Sequence, residues 1–230
     1  MRAITYSLWG CDPLYTIGAL KNADLAEKYY PDWTCIFYCA TSVPTSIIDQ
    51  LSSKNNVIVR MMDGDGNKRS AVWRFFPAEE DGVEYLLSRD CDSRLSYREV
   101  LAVDDWIKAG TDFHIMRDHP YHGGHPILAG MFGVRGKKLH GIKKSAEDYI
   151  KNIDANYKAV DQDFLASWVW PKLEKRELSV TIHDPFFLKW SFPDGAKRGK
   201  ENNGVWFVGQ VFDENDVYIS QNDVDMLGAI

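Results

Sequence analysis

Short apolar runs alternate with amphipathic stretches along the first half of the chain. The apolar runs predict five strands, at residues 3–9, 34–40, 56–62, 82–89 and 112–117. Between them the pattern predicts helices at 13–30, 44–51 and 96–110. This order is typical of a mostly parallel sheet covered by helices, in which ligands bind beyond the carboxyl ends of the strands.

Two of the predicted helices carry clear start signals. Asp12 stands before Pro13, which gives an N-cap followed by proline at the first helical position. Ser96 and Glu99 have the spacing of a capping box, in which each side chain bonds to the backbone of the other residue. Gly110 is the expected end of that helix.

The last third of the chain has a different character. A helix is predicted near 145–154, and Pro171 is expected to stop the helix that precedes it. Late strands are predicted at 180–187 and 205–214. The stretch 191–204 is rich in Gly, Lys and Arg and is predicted to be a mobile loop, and the acidic segment 213–230 a solvated tail.

Composition narrows the class of protein. The 230 residues are 45% hydrophobic, which is enough for the core of one large domain. The net charge of -6 argues against a general nucleic-acid binder. The chain has neither a run of eighteen apolar residues nor signal-peptide features at its start, so we expect no membrane span and a cytoplasmic protein. Its four cysteines form no CxxC pair and are expected to be reduced and mostly buried.

The fourth predicted strand runs directly into two carboxylates, Asp90 and Asp92, in "LLSRDCDSR". Carboxylates held ~5 Å apart at an effective dielectric near 20 repel by about 3 kcal/mol. A divalent cation relieves that repulsion, and Mg²⁺ or Mn²⁺ prefers such oxygen ligands and also binds diphosphates. The alternative is a solvated acidic turn. Arg89 is the expected partner of the carboxylates, and Arg94 is expected to balance local charge.

Other candidate ligand-binding residues precede this strand. Gly10 lets the backbone approach a ligand closely. Arg69 and Arg74 suit bidentate phosphate recognition, although surface cations are the alternative. Trp73 lies between them and suits either stacking on a ligand or packing in the core.

Four segments of the chain resemble a family of short bacterial and large-virus glycosyltransferases with the GT-A fold. They are "SRDCDSRLSYREVLAVDDWI", "FHIMRDHPYHGGHPILAGMFG", "DQDFL" and "FVGQVFDE", and with the first strand they cover roughly 3–212. "DQDFL" is also similar to the D-Q-D of glycogenin-like retaining enzymes. The resemblance implies a mixed, mostly parallel central sheet flanked by helices. It divides one domain, 1–230, into a nucleotide-sugar-binding half at 1–118 and an acceptor and metal half at 119–212.

The resemblance also implies how a nucleotide-sugar donor, UDP-linked by preference, would bind. Leu8 and Gly10 would contact the base and ribose, and Asp90 and Asp92 would hold Mn²⁺ or Mg²⁺ against the diphosphate. His183 is the expected third metal ligand, although "HDPFFLKW" lacks the glycine and K-P-W of the family. The cation that would bind the diphosphate remains open among Lys189, Lys197 and Arg198.

On the acceptor side the resemblance points to two further groups of residues. Asp118 and His119 would bond sugar hydroxyls, and Gly130 and Met131 would face the reacting sugar. Asp161 and Asp163 are the candidate catalytic carboxylates. In an inverting enzyme one of them would deprotonate the acceptor hydroxyl, and general-base help is worth about 10²–10⁴-fold. In a retaining enzyme it would stabilise an oxocarbenium-like transition state.

Two other functions stay open at this point. One is a zinc or magnesium phosphohydrolase that uses Asp118, His119, His122 and His125, although Pro and Gly surround these histidines and a zinc site needs a rigid frame. The other is a non-catalytic module that binds nucleotide sugars or carbohydrate. The pattern does not decide the sugar, the acceptor (glycan or lipid-linked), the stereochemical outcome or the oligomeric state.

Overall fold

The computed structural model describes residues 1–228, which are built on one seven-stranded sheet. The strands are β1 Arg2–Leu8, β2 Trp33–Cys39, β3 Val57–Met61, β4 Tyr85–Ser88, β5 Phe113–Met116, β6 Phe132–Arg135 and β7 Val180–His183. Their order across the sheet is β3-β2-β1-β4-β6-β5-β7. Only β6 runs antiparallel to its neighbours, β4 and β5. The mixed, mostly parallel sheet confirms the predicted fold class.

Helices flank this sheet and account for most of the remaining chain. The α-helices are α1 Pro13–Tyr29, α2 Thr45–Ser52, α3 Tyr97–Ala109, α4 Ile142–Ile150, α5 Val160–Phe164, α6 Trp170–Glu174 and α7 Gln221–Gly228. Three 3-10 helices lie at Lys68–Glu79, Pro120–Gly124 and Lys200–Asn202. The early helices and strands confirm the sequence prediction with small shifts at their ends.

The core is divided between the two faces of the sheet. Successive residues of β1 contribute to different hydrophobic clusters, with Ala3 in one and Ile4 in the other, because side chains alternate along a strand. One cluster includes buried residues of α1, α2 and α3, and the other includes those of α4, α5 and the first 3-10 helix. Both faces of the sheet are therefore covered by hydrophobic core, which explains the continuous apolar runs of β1 and β2.

Of the two predicted helix N-terminal caps, one is confirmed and one is wrong. The Asp12 side chain accepts a hydrogen bond from the Leu14 amide at 3.0 Å, as expected of an N-cap. The capping box predicted from Ser96 and Glu99 is wrong. Ser96 caps α3 without a side-chain hydrogen bond, and the Glu99 carboxylate accepts from Arg89 and Tyr30 instead of from the Ser96 amide.

Two predictions for the last third of the chain are also wrong. Pro171 does not stop a helix: it lies at the start of α6, directly after a π-helical turn at Leu165–Val169, and the helical run continues through it to Glu174. The predicted strand at 205–214 is an irregular segment with isolated bridges such as Ser93 to Val211. Gly209 interrupts it with a φ of +84°. The strand predicted at 180–187 forms only as β7.

The acidic C-terminal segment is not a solvated tail within the described residues. Asp216 pairs with Lys21 at 2.5 Å and with Arg94 at 2.8 Å, and Val224 of α7 is buried. The Asp223 carbonyl lies 2.9 Å from the His119 ring. Residues 229–230 of the predicted tail lie outside the described part of the chain.

The cysteine prediction is confirmed, since all four thiols are free and three of them are buried. A search of residues 1–228 finds no helix of the length and apolar character that crossing a bilayer requires.

Gly18 on α1 tests the packing that positions the turn after β4. A Cβ at Gly18 would lie 2.1 Å from the Cys91 carbonyl oxygen, which is backbone that has no free side chain to yield. We expect Gly18→Ala to lower the free energy of unfolding by about 1–3 kcal/mol in urea titrations. Gly124→Ala is the control, because a Cβ there meets nothing within 4 Å, and it should change stability by less than about 0.5 kcal/mol. Equal stability of both variants would contradict this packing.

Candidate functional site

A cavity of about 340 Å³ opens where β1 and β4 end. Its wall is formed by the end of β1, the turn after β4, the first 3-10 helix, the loop 128–131 and the start of α5. Ligands of open α/β sheets bind at this position, beyond the carboxyl ends of parallel strands.

Arg74 is a buried residue in the wall of this cavity, and two carboxylates bind it. Its Nη1 contacts the Asp90 carboxylate and donates to the Arg89 carbonyl at 3.0 Å. Its Nη2 lies 2.5 Å from Asp161 Oδ2. The planar guanidinium is thus shared by carboxylates from the turn after β4 and from α5. Both pairings favour the cation, so the pKa of Arg74 is raised although burial alone would lower it.

Asp90 occupies its position because Gly130 leaves room for it. A Cβ at Gly130 would lie 1.8 Å from Asp90 Oδ2. The loop that carries Gly130 is fixed to β4 by a 2.6 Å hydrogen bond from the Ser88 hydroxyl to the Ala129 carbonyl. The Asp90 oxygen that Arg74 does not hold, Oδ2, therefore lies directly against this loop.

Asp92 is the least compensated carboxylate in the cavity. Partial burial, and then the charge of Asp90, raise its pKa to about 7, against the opposing effects of Arg74 and Arg94. The pKa of Asp161 is also raised, chiefly by burial, while Arg74 opposes this rise. The cavity wall therefore carries several carboxylates close together, and Arg74 neutralises only part of their negative charge.

The pair Asp90 and Asp92 fits a hard divalent cation. The two carboxylates share a cavity wall, and the raised pKa of Asp92 shows that its ionised form lacks a sufficient counter-charge. Mg²⁺ is typically bound by one or two carboxylates, with water and phosphate oxygens as its other ligands. Residues 1–228 contain no group of three His, Cys, Asp or Glu side chains arranged to hold a metal ion.

His183 is not brought to these aspartates, contrary to the sequence prediction. Its Nδ1 lies 2.8 Å from His114 Nε2, and its Nε2 lies 3.3 Å from Asp105 Oδ2. The ring is buried at the end of β7, the edge strand of the sheet, and is absent from the cavity wall. Burial keeps the pKa of His183 below its usual range. Both ring nitrogens are already engaged within the fold.

The predicted donor-binding residues are only partly brought together. Leu8 and Arg74 line the cavity, whereas Gly10 and Arg69 do not. The Gly10 amide instead donates to the Ser42 hydroxyl at 2.7 Å. Trp73 packs against the core.

The predicted phosphate-binding cations also lie elsewhere. Lys189 and Lys197 are absent from the cavity wall, and Arg198 donates to the Trp206 carbonyl at 2.6 Å and to Asp118 at 2.5 Å. Lys68 and Lys158 line the cavity instead. Lys68 opens the basic stretch "KRSAVWRF", which was a usable signal, whereas Lys158 has no distinctive sequence context.

Only some of the predicted acceptor-binding residues line the cavity. Gly130 and Met131 line the cavity. Asp118 is fully buried and accepts hydrogen bonds from Arg98 at 2.7 Å and from the Val208 amide at 2.9 Å, so it has a structural role. His119 is buried against the Asp223 carbonyl. Of the three histidines in this loop, His122 is the one that lines the cavity.

This arrangement does not support the phosphohydrolase alternative. Asp118, His119 and His122 do not converge on a metal position, because their polar atoms are engaged by backbone and by arginines. Burial lowers the pKa of His122 to about 4, against the effect of Asp118. His125 instead lies 3.6 Å from Asp163 Oδ1.

The two carboxylates of "DQDFL" point to different environments. Asp161 and Gln162 line the cavity. Asp163 is absent from that wall, and its carboxylate accepts a hydrogen bond from the Tyr157 hydroxyl and contacts His125. Of the two predicted catalytic residues, only Asp161 shares the cavity with Asp90 and Asp92.

The two arginines beside the paired aspartates in the sequence have structural roles. Arg89 is buried, and it binds Glu99 at 3.2 Å and the Phe132 carbonyl at 3.1 Å rather than the aspartates. The prediction that it partners the carboxylates is therefore wrong. Arg94 donates to the Ser93 carbonyl at 3.0 Å and to Asp216 at 2.8 Å, which fastens the C-terminal segment to the turn.

Comparison with known proteins identifies the fold. No family model and no curated protein matches this chain. Among solved structures, S. aureus TarS 1-349 is similar with a TM-score of 0.51 and 11% identity over 79% of this chain, which spans 57% of the TarS chain. The 4-diphosphocytidyl-2C-methyl-D-erythritol synthase of Anaerococcus prevotii is similar with a TM-score of 0.50 and 12% identity, over 100% of this chain and 97% of its own. The chain therefore has a GT-A-like fold, as its resemblance implied.

The raised pKa of Asp92 predicts a stability effect with a definite sign. Between about pH 4 and 7 the unfolded carboxyl ionises and the folded one does not, so stability falls as pH rises and levels off above pH 7. In EDTA at pH 8, Asp92→Asn should raise the free energy of unfolding by about 1–2 kcal/mol, and the gain should disappear near pH 4. Urea titrations at both pH values measure it.

Asp104→Asn is the control for this measurement, since Asp104 is an exposed aspartate on α3. It should change stability by less than about 0.5 kcal/mol at either pH. A less stable Asp92→Asn protein at pH 8 would show that the carboxylate is already compensated without metal.

Proposed function

We propose that this chain is a divalent-metal-dependent glycosyltransferase that uses a nucleoside-diphosphate sugar, UDP-linked, and a hydroxyl acceptor. The observation that carries the proposal is one cavity, at the carboxyl end of a GT-A-like sheet, that contains Asp90, Asp92 and the Arg74–Asp161 pair. TarS has been crystallised in complex with UDP, in a structure similar to this chain with a TM-score of 0.50, which supports the choice of nucleotide.

The donor diphosphate would lie between the paired aspartates and the two lysines of the cavity. Mn²⁺ or Mg²⁺ held by Asp90 and Asp92 would supply Lewis-acid stabilisation of the diphosphate leaving group. Lys68 and Lys158 line the same cavity and can neutralise phosphate oxygens as point charges. These two lysines replace the cations that the sequence suggested.

The base and ribose would bind at the end of β1. Leu8 and Trp9 line the cavity there, together with Tyr15 from the first turn of α1. An aromatic side chain offers a face on which a planar base can stack. This end of the cavity adjoins Asp92, whose charge contributes to the raised pKa of the Tyr15 hydroxyl.

Asp161 is the residue that we assign to the reacting centre. It is buried in the cavity wall, Arg74 fixes its orientation, and burial raises its pKa, which makes the carboxylate a stronger proton acceptor. If the reaction inverts, Asp161 accepts the proton of the acceptor hydroxyl; if it retains, Asp161 stabilises positive charge on the sugar. Gly130 and Met131 line the same cavity.

Donor binding tests the first part of this proposal. UDP, UDP-glucose, UDP-galactose and UDP-GlcNAc are compared by thermal shift, with and without Mn²⁺. At 100 times the dissociation constant a donor stabilises by about 2.7 kcal/mol, so at least one should raise the melting temperature in Mn²⁺. Asp92→Asn should abolish the Mn²⁺-dependent shift, and Asp104→Asn should keep it. No shift with any donor would contradict the proposal.

The two carboxylates of "DQDFL" give a matched test of turnover. Asp161→Asn should reduce the release of UDP by about 10²–10⁴-fold while donor binding persists. Asp163→Asn should change it only a few-fold, because that side chain lies outside the cavity wall. Donor binding with neither transfer nor hydrolysis in the unmodified protein would instead establish the non-catalytic module.

A further inference from the structure

The chain after β7 forms a hairpin that exposes large apolar side chains. Phe187, Leu188 and Trp190 are 44%, 42% and 51% exposed. Such a contiguous group is unusual on a protein surface and marks an interaction site more often than scattered apolar residues do.

Backbone and side-chain hydrogen bonds stabilise the hairpin that carries these exposed side chains. Asp184 and Trp190 exchange both backbone hydrogen bonds, at 2.7 and 2.9 Å. The buried Asp184 carboxylate also accepts from the amides of Phe186 and Phe187, and it lies 2.9 Å from Arg117 Nε. The fold therefore fixes the apolar side chains outward, so a partner would meet a preorganised surface.

A neighbouring turn extends the surface towards the catalytic cavity. A Cβ at Gly123 would lie 2.5 Å from the Phe187 ring, so the 3-10 turn Pro120–Gly124 packs against the hairpin. Tyr121 of that turn is 67% exposed, while His122 lines the cavity. Tyr121, Phe187, Leu188 and Trp190 together form what we term the apolar patch.

Basic residues follow the apolar patch along the chain. Within 186–200 the basic residues are Lys189, Lys197, Arg198 and Lys200, and Asp194 is the one acidic residue, in a chain whose net charge is -6. Arg198 lies 6.0 Å from the centre of the Phe186 ring, which places this segment beside the hairpin, but its charge is paired with the buried Asp118. Lys189 and Lys197 are exposed, and Lys189 stands between Leu188 and Trp190, so the surface combines apolar side chains with the positive charge of these lysines.

We propose that the apolar patch docks on the surface of an anionic phospholipid bilayer. Trp, Tyr, Phe and Leu side chains partition into the membrane interface, and Lys and Arg beside them are attracted by anionic headgroups. The exposed area of the four side chains is on the order of 400 Å². That is about half of the ~800 Å² that each partner contributes to a stable interface, which disfavours a second copy of this chain as the occupant.

Docking in this way would hold the cavity next to the membrane surface. If the glycosyltransferase proposal is correct, it follows that the acceptor hydroxyl is carried by a lipid-anchored molecule. Docking itself does not depend on the chemistry of the cavity, so the two proposals can fail separately.

Co-sedimentation with sucrose-loaded vesicles tests the proposal on the full chain. We expect binding to vesicles of phosphatidylcholine and phosphatidylglycerol at 7:3, weaker binding to pure phosphatidylcholine, and a decrease as salt rises. The double variant Phe187→Ser/Leu188→Ser should lower the affinity for anionic vesicles at least tenfold. Its melting temperature should stay close to that of the unmodified protein, because both side chains are exposed.

The double variant Ile58→Ser/Met61→Ser is the matched control. These residues are 39% and 55% exposed on β3, at the opposite edge of the sheet from β7. The control should bind vesicles like the unmodified protein. The proposal is overturned if anionic vesicles are not bound, or if both double variants lose binding equally. It is also overturned if the chain self-associates in sedimentation velocity and Phe187→Ser/Leu188→Ser abolishes that association instead.

Discussion

One buried guanidinium holds together carboxylates from distant parts of the chain. Arg74 comes from the 3-10 helix that covers the sheet, Asp90 from the turn after β4, and Asp161 from α5. Removing one partner of such a buried pair typically costs about 3–5 kcal/mol, because a charge is left without compensation. Arg74 is therefore both a structural cross-link and the group that orients two carboxylates in the cavity. Arg74 makes no contact with Asp92, which in the proposed function binds the cation together with Asp90.

The turn that carries the paired aspartates is fixed from both sides. Gly18 lets α1 approach the Cys91 carbonyl, and on the other side the Phe212 amide donates to the Asp92 carbonyl at 2.9 Å. Arg94 adds bonds from the turn to the C-terminal segment. A segment that looks like a polar tail in the sequence thus stabilises the turn that carries the paired aspartates.

Local signals in the sequence predicted local features well. The apolar runs located six of the seven strands, and a D-x-D after a buried strand located Asp90 and Asp92 at the cavity. Partners in space were harder to predict. Arg89 and Arg74 are equally plausible in sequence, but Arg89 turns into the core towards Glu99. His183 follows a strand at the sheet edge, where the His114 ring lies within hydrogen-bond distance. Strand β6 was not predicted, because its four residues include Gly133, and glycine is disfavoured in strands.

The central claim is that Asp90 and Asp92 bind a divalent cation together with a donor diphosphate. Anomalous diffraction from crystals grown with Mn²⁺ and UDP tests it most directly. The account predicts one manganese peak, coordinated by both aspartates and by diphosphate oxygens, with Arg74 still bound to Asp161. A peak on the ring of His183, or UDP bound in this cavity without any manganese peak at Asp90 and Asp92, would contradict it.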